Sequence, residues 1–139
     1  MNINKDILYF DLEKMDKESV IRLAGEKLLE HKLISKEYIE SMLEKEKTDD
    51  TYIGNNIAIP HGLSDAKKYV KKSGIVILHF RNSIDYDGRD VNIVIGIAGQ
   101  DGDHLEILAE IAVNLSSEEK VKKLINSKTE EEFLHIFNN

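Results

Sequence analysis

Two segments of this chain, residues 74–80 (GIVILHF) and 91–98 (VNIVIGIA), are apolar at nearly every position. A strand with one face in water alternates apolar and polar residues, so near-continuous apolar runs demand cover on both faces. The rest of the sequence offers that cover. Asp16 can cap a helix whose Val20, Ile21, Ala24 and Leu28 form one apolar stripe. Ser35 can cap a second helix with Tyr38, Ile39, Met42 and Leu43 on one side. Residues 63–72 suggest a short amphipathic helix with Ala66 and Val70 inward. After a loop at 99–103, Leu105, Leu108, Ile111, Ala112 and Leu115 recur at helical spacing. Ser116 with Glu119, and Thr129 with Glu132, read as capping boxes for two last helices. Residues 7–10 make a first strand, and 82–90, with Asp87-Gly88, read as turn chemistry. With neither repeat nor linker in 139 residues, the expectation is a single α/β domain, 1–139.

Charge and composition narrow the function classes. The net charge of −7 argues against nucleic acid as a partner, because a phosphate backbone rewards basic faces. No apolar run approaches the roughly 20 residues of a membrane span. Residues 1–14 lack the basic and apolar regions of a secretory signal, so the expected location is cytoplasmic. Without cysteine, the chain has neither disulfides nor a thiolate metal site.

One short stretch carries chemistry. Residues 54–62 read GNNIAIPHG and contain the only proline. Ile57, Ala58 and Ile59 suit a short buried strand. Pro60 removes a backbone donor and presses Ile59 into extended geometry, so pairing is expected to stop there. His61 then stands just past the strand on a stiff turn, with Gly62 leaving room for a neighbouring backbone. An imidazole so presented can serve as nucleophile, base or ligand. His104 follows Gly102-Asp103 at the start of a helix, where free amides and the dipole favour an anion.

The stretch TYIGNNIAIPHG, followed in order by DAKKYVKKSGI, VIGIAG and DHLEILAEIA, resembles the IIA domains of the bacterial sugar phosphotransferase system, mannitol/fructose type. The resemblance covers nearly all of the chain, and AKKYVKKSGI with VIGIAG is most similar to mannitol-specific members. It implies a mixed β-sheet flanked by helices on both faces. It also implies that His61 is phosphorylated by the histidine-phosphorylated carrier HPr, with His104 beside it. The group would pass to a cysteine of a IIB protein, which phosphorylates sugar carried by the membrane permease IIC. With no cysteine here, the acceptor would lie on a separate polypeptide. Lys45 stands where mannitol-type relatives carry arginine, and lysine keeps the charge but loses the planar fork. Asn55, Pro60 and Gly62 complete the residues that the resemblance sets near phosphoryl group or partner. Asn56 replaces a more usual glycine. The alternative that the resemblance leaves open is a regulatory IIA-like module, whose His61 phosphorylation controls a transcription regulator or a transporter.

Other chemistries lack their motifs. No G-x-x-x-x-G-K-[ST] or G-x-G-x-x-G loop supports nucleotide binding, and no cofactor is expected. HExxH is absent, Asp85-Tyr86-Asp87-Gly88 is too short for a calcium loop, and no metal is expected. A metal reading would need His61 and His104 with Asp101 or Asp103. Ser64 and Ser73 have no nucleophile-elbow context. Lys67, Lys68, Lys71 and Lys72 form a basic cluster that could meet an acidic partner but reads first as a solvated helix face. His31 reads as a cation at a helix C-terminus, and His79 and His135 as structural.

Overall fold

The two apolar segments pair with each other as the antiparallel centre of a five-stranded sheet. The computed structural model describes residues 1–139. In chain order the elements are β1 (Leu8–Tyr9), α1 (Lys17–Glu30), α2 (Glu37–Thr48), β2 (Tyr52–Gly54), β3 (Ile57–Ala58), β4 (Gly74–Tyr86), β5 (Arg89–Ala98), α3 (Asp103–Asn114), α4 (Glu118–Ile125) and α5 (Glu130–Asn138). The strand order is β1-β4-β5-β3-β2. β1 joins β4 and β3 joins β5 in parallel, while β2 and β3 run antiparallel, so the sheet is mixed.

Both faces of the sheet are covered, as the continuous apolar runs require. Val76, Leu78, Phe80, Val94 and Ala98 face one core with Val20, Ala24 and Leu28 of α1 and Tyr38 and Met42 of α2. Ile75, Ile77, Ile93, Ile95 and Ile97 face the other, with Ile111, Leu115, Val121, Leu124, Phe133 and Phe137 of the last three helices. This alternation along β4 and β5 supplies apolar side chains to two layers at once. No helix is long and apolar enough to cross a membrane.

Several local expectations shift. β4 runs on through Ile84 and Tyr86, both buried, so the turn expected at 82–90 contracts to Asp87-Gly88. Both turn residues have positive φ, 56° and 86°, which matches the twist of a two-residue hairpin. The first strand is shorter than expected because Ile7 closes a 3₁₀ turn, Lys5–Ile7. Residues 63–72 hold a 3₁₀ helix, Ser64–Tyr69, although Ala66 and Val70 are buried as expected. Ser35 does not cap α2. Its amide donates to Tyr69 O at 2.9 Å, and the helix starts after Lys36 without a side-chain cap.

Asp16 and Thr129 do cap α1 and α5. The α4 cap is Ser117, whose hydroxyl accepts from the Lys120 amide at 3.1 Å. Ser116 instead donates to Val113 O at 3.1 Å, closing the end of α3. On α3 itself the inward stripe is Ile107, Leu108 and Ile111, continued by Leu115 just past its end, whereas Leu105 is 74% exposed and Ala112 is also exposed.

Candidate active site

The site is built at the end of β3. Pro60 gives no amide, but its carbonyl still accepts from Ile97 N at 3.0 Å, and His61 bridges to Ile97 in parallel. Pairing therefore runs one residue past the point where the missing donor suggested it would stop. The loop is then pinned from α2. The Gly62 amide donates to the Tyr38 hydroxyl at 2.8 Å, and that hydroxyl donates to Ile97 O at 2.9 Å. The Leu63 amide donates to Ser41 Oγ at 2.7 Å. A Cβ on Gly62 would lie 2.6 Å from the Tyr38 ring, so only glycine fits without displacement.

This frame fixes the His61 ring. Nδ1–H donates to Ile59 O at 2.7 Å, an arrangement that leaves Nε2 as the lone-pair nitrogen, without a protein partner. Burial of the ring, with the nearby Lys45 charge, holds its pKa below the ordinary 6.5, against the carbonyl contact that raises it. His61 is thus neutral, with one nitrogen tied and the other available.

His104 faces it, with ring centroids 4.8 Å apart and ring planes at 60°. It stands in the first turn of α3, whose N-cap Gly102 brings no side-chain cap; the Asp103 amide donates to Gln100 O at 2.9 Å, and the next amides of the turn remain for a ligand. Gly99 makes this approach possible, because a Cβ there would come within 2.8 Å of His104 Cα. The His104 pKa is lowered by burial first and then by His61, Lys67 and Lys45.

Between the two histidines lies a cleft of about 280 Å³ that also takes in Lys45, Gly62 and Lys67. Lys45 Nζ pairs with Asp49 at 3.0 Å. Of the carboxylates that a metal reading would need, Asp103 accepts from Ser73 Oγ at 2.6 Å, and Asp101 lies exposed, loosely paired with Lys67. The geometry suits an anionic group on His61 Nε2, with His104, the α3 amides and lysine ammonium groups around it.

The sequence-predicted residues divide accordingly. His61, His104, Lys45 and Gly62 line the cleft, whereas Pro60 is buried behind it, its carbonyl bonded to Ile97 N. Asn55 does not line it. It occupies the β2–β3 turn with φ 54°, and its side-chain Nδ2 donates to Leu115 O at the end of α3 at 3.4 Å. Asn56 takes φ 64° beside it, a backbone geometry that explains why glycine suits this position, and bonds Asn92 at 2.9 Å. His31 ends α1, but its ring meets the Tyr9 hydroxyl at 2.9 Å rather than helix carbonyls. Tyr38, which the sequence set only on an apolar helix face, and Ser41, which it did not single out, hold the loop.

Comparison with known proteins places these features in a family context. Residues 1–139 match the family described as "Phosphoenolpyruvate-dependent sugar phosphotransferase system, EIIA 2". The mannitol-specific phosphotransferase enzyme IIA component of Geobacillus stearothermophilus is 43% identical over 137 residues, 98% of this chain and 94% of that protein. The crystal structure of IIA mannitol from Escherichia coli superposes with a TM-score of 0.90 at 28% identity, covering 99% of each chain. A solution structure of the Escherichia coli complex of enzyme IIAMTL with phosphorylated enzyme IIBMTL matches with a TM-score of 0.91 at 28% identity, covering 98% of this chain and 96% of that one.

Proposed function

Because the chain belongs to the EIIA 2 family of the phosphoenolpyruvate-dependent sugar phosphotransferase system, and is therefore a phosphotransferase component, we propose that it carries a phosphoryl group on His61 Nε2 between phospho-HPr and a separate IIB protein. The proposed sugar is mannitol, after the names of its relatives. The proposed site of action is the cytoplasm, as one IIA unit spanning residues 1–139, serving a membrane IIC permease through IIB. The observation that carries this reading is the tied Nδ1 and free Nε2 of His61, 4.8 Å between ring centroids from His104.

The step follows from that geometry. The Nε2 lone pair attacks phosphorus in line with the donor's N–P bond. That bond breaks, and its electron pair returns to the donor imidazole. Positive charge develops on the His61 ring, where Ile59 O steadies the Nδ1 proton. His104 donates to a phosphoryl oxygen, and the α3 amides and Lys45 stabilise the same charge. In the second step a cysteine thiolate of IIB attacks. The S–P bond forms as the N–P bond breaks, and His61 returns neutral. Asn55 supports this indirectly by tying the β2–β3 turn to the end of α3.

The reading is tested by incubating the protein with phosphoenolpyruvate, enzyme I and HPr, then adding candidate IIB proteins. Transfer onto a mannitol-type IIB supports the assignment. Phosphorylation without transfer to any IIB contradicts the transport role and favours the regulatory one.

A further inference from the structure

One cation at the site belongs to a run that sequence reads as solvated surface. Of Lys67, Lys68, Lys71 and Lys72, only Lys67 lines the cleft between His61 and His104. The 3₁₀ helix Ser64–Tyr69 begins three residues after His61, and its curvature brings Lys67 to the cleft wall. Lys68 lies over the Tyr69 ring instead, and Lys71 and Lys72 are exposed.

Lys67 is only loosely held. Its Nζ is 3.4 Å from Asp101 Oδ1, with the lysine side chain 41% and the aspartate side chain 92% exposed. Pairs this exposed contribute little, so the ammonium is available to a stronger anion. Lys45 is tethered in a similar way, to the 62%-exposed Asp49 side chain. The cleft thus contains two lysines, each resting on an exposed carboxylate, and no arginine.

We infer that Lys67 is a second phosphoryl-contacting residue: once His61 is phosphorylated, its ammonium leaves Asp101 and pairs with the phosphoryl oxygens together with Lys45. Two point charges then do the work for which one planar guanidinium fork would otherwise serve. The inference rests on the phosphocarrier reading. The same proximity is felt at His104, whose pKa is lowered by burial, by His61 and then by the charge of Lys67.

The test is the equilibrium constant for phosphoryl exchange between phospho-HPr and the dilute protein, compared for wild type, Lys67→Met, Lys67→Arg and Lys68→Met. A docking contact alters forward and reverse rates together and leaves this constant unchanged, whereas a contact to the phosphoryl group alters the constant itself. Lys67→Met is expected to lower it by about three- to tenfold, less at high salt. Lys67→Arg retains most of it, and Lys68→Met retains all. A wild-type constant in Lys67→Met overturns the inference and leaves the phosphocarrier reading intact, even if both rates fall. A wild-type protein that takes no phosphoryl group from phospho-HPr overturns both.

Discussion

The hydroxyl of Tyr38 accepts the Gly62 amide at 2.8 Å, so a residue of α2 holds the backbone immediately after His61. The same hydroxyl donates to Ile97 O, and both contacts are buried. Tyr38→Phe strands a buried donor and a buried acceptor. The expected cost is about 1–3 kcal/mol, read as a lower urea midpoint, with slower phosphorylation of His61. Gly62→Ala should be worse for transfer, because its Cβ collides with the Tyr38 ring itself.

His104→Ala should fold normally, since the side chain is only half-buried, yet pass the phosphoryl group to IIB about 10²–10³-fold more slowly. His104→Gln keeps a donor and should retain more activity. Stopped-flow transfer to IIB checks both variants; a near-normal rate for the alanine variant returns His104 to a structural role.

The pH dependence of phosphorylation follows from the environment of His61. Its pKa lies below 6.5, so the nucleophile stays neutral through the neutral range, and the acid limb of the rate falls below that value. Lys45→Met removes a charge that opposes protonation, so this limb should move to higher pH. Titration of the His61 ring by NMR gives the same answer without a partner protein.

A stability effect should come from His79. The ring is fully buried, stacked on Phe10 at 4.4 Å between centroids, with Nδ1 accepting from the Asp11 amide and Nε2–H donating to Ile125 O. Burial, with a smaller contribution from Arg81, lowers its pKa, while the Ile125 carbonyl and Asp11 oppose this. The unfolded chain therefore binds the proton more readily than the native one. The stabilisation is complete above pH 6.5 and is lost as pH falls through the folded-state value. His79→Gln should lower stability at pH 8 by about 1–3 kcal/mol and flatten the acid-side decline, as read from denaturant midpoints across pH.

Much of this was legible in sequence because it is local. The apolar runs required a sheet covered twice, and Ile-Pro-His-Gly already set His61 beyond a strand end. What stayed hidden depends on partners distant in the chain. Asn82 and Ser83 look like turn residues, yet β4 runs past them, and Ile84, Asp85 and Tyr86 pair with Val91, Asp90 and Arg89 of β5. Ser35 and Ser116 have cap chemistry, but the helix after Ser35 starts past Lys36, with the Ser35 amide tied to Tyr69 O, and the Ser116 hydroxyl bonds Val113 O. Leu105 fits the apolar period of α3 and still faces solvent, because the sheet lies under Leu108 and Ile111. Lys67 was lost in a charge run, since only the fold distinguishes it from its neighbours.

Transfer should need no metal and no nucleotide. The group moves between two imidazole nitrogens, with no pyrophosphate charge for a divalent ion to neutralise. With purified phospho-HPr as sole donor, the rate should be unchanged in excess EDTA, and ATP should not replace the donor. A loss of transfer on chelation that zinc or manganese restores would contradict this mechanism.

The central claim is that His61 alone bears the phosphoryl group, and mapping the label after incubation with phospho-HPr tests it most directly. The account predicts one acid-labile, alkali-stable phosphoryl group on His61 and none on His61→Ala. A His61→Ala protein that still accepts the group, or a wild-type label on His104, would contradict it.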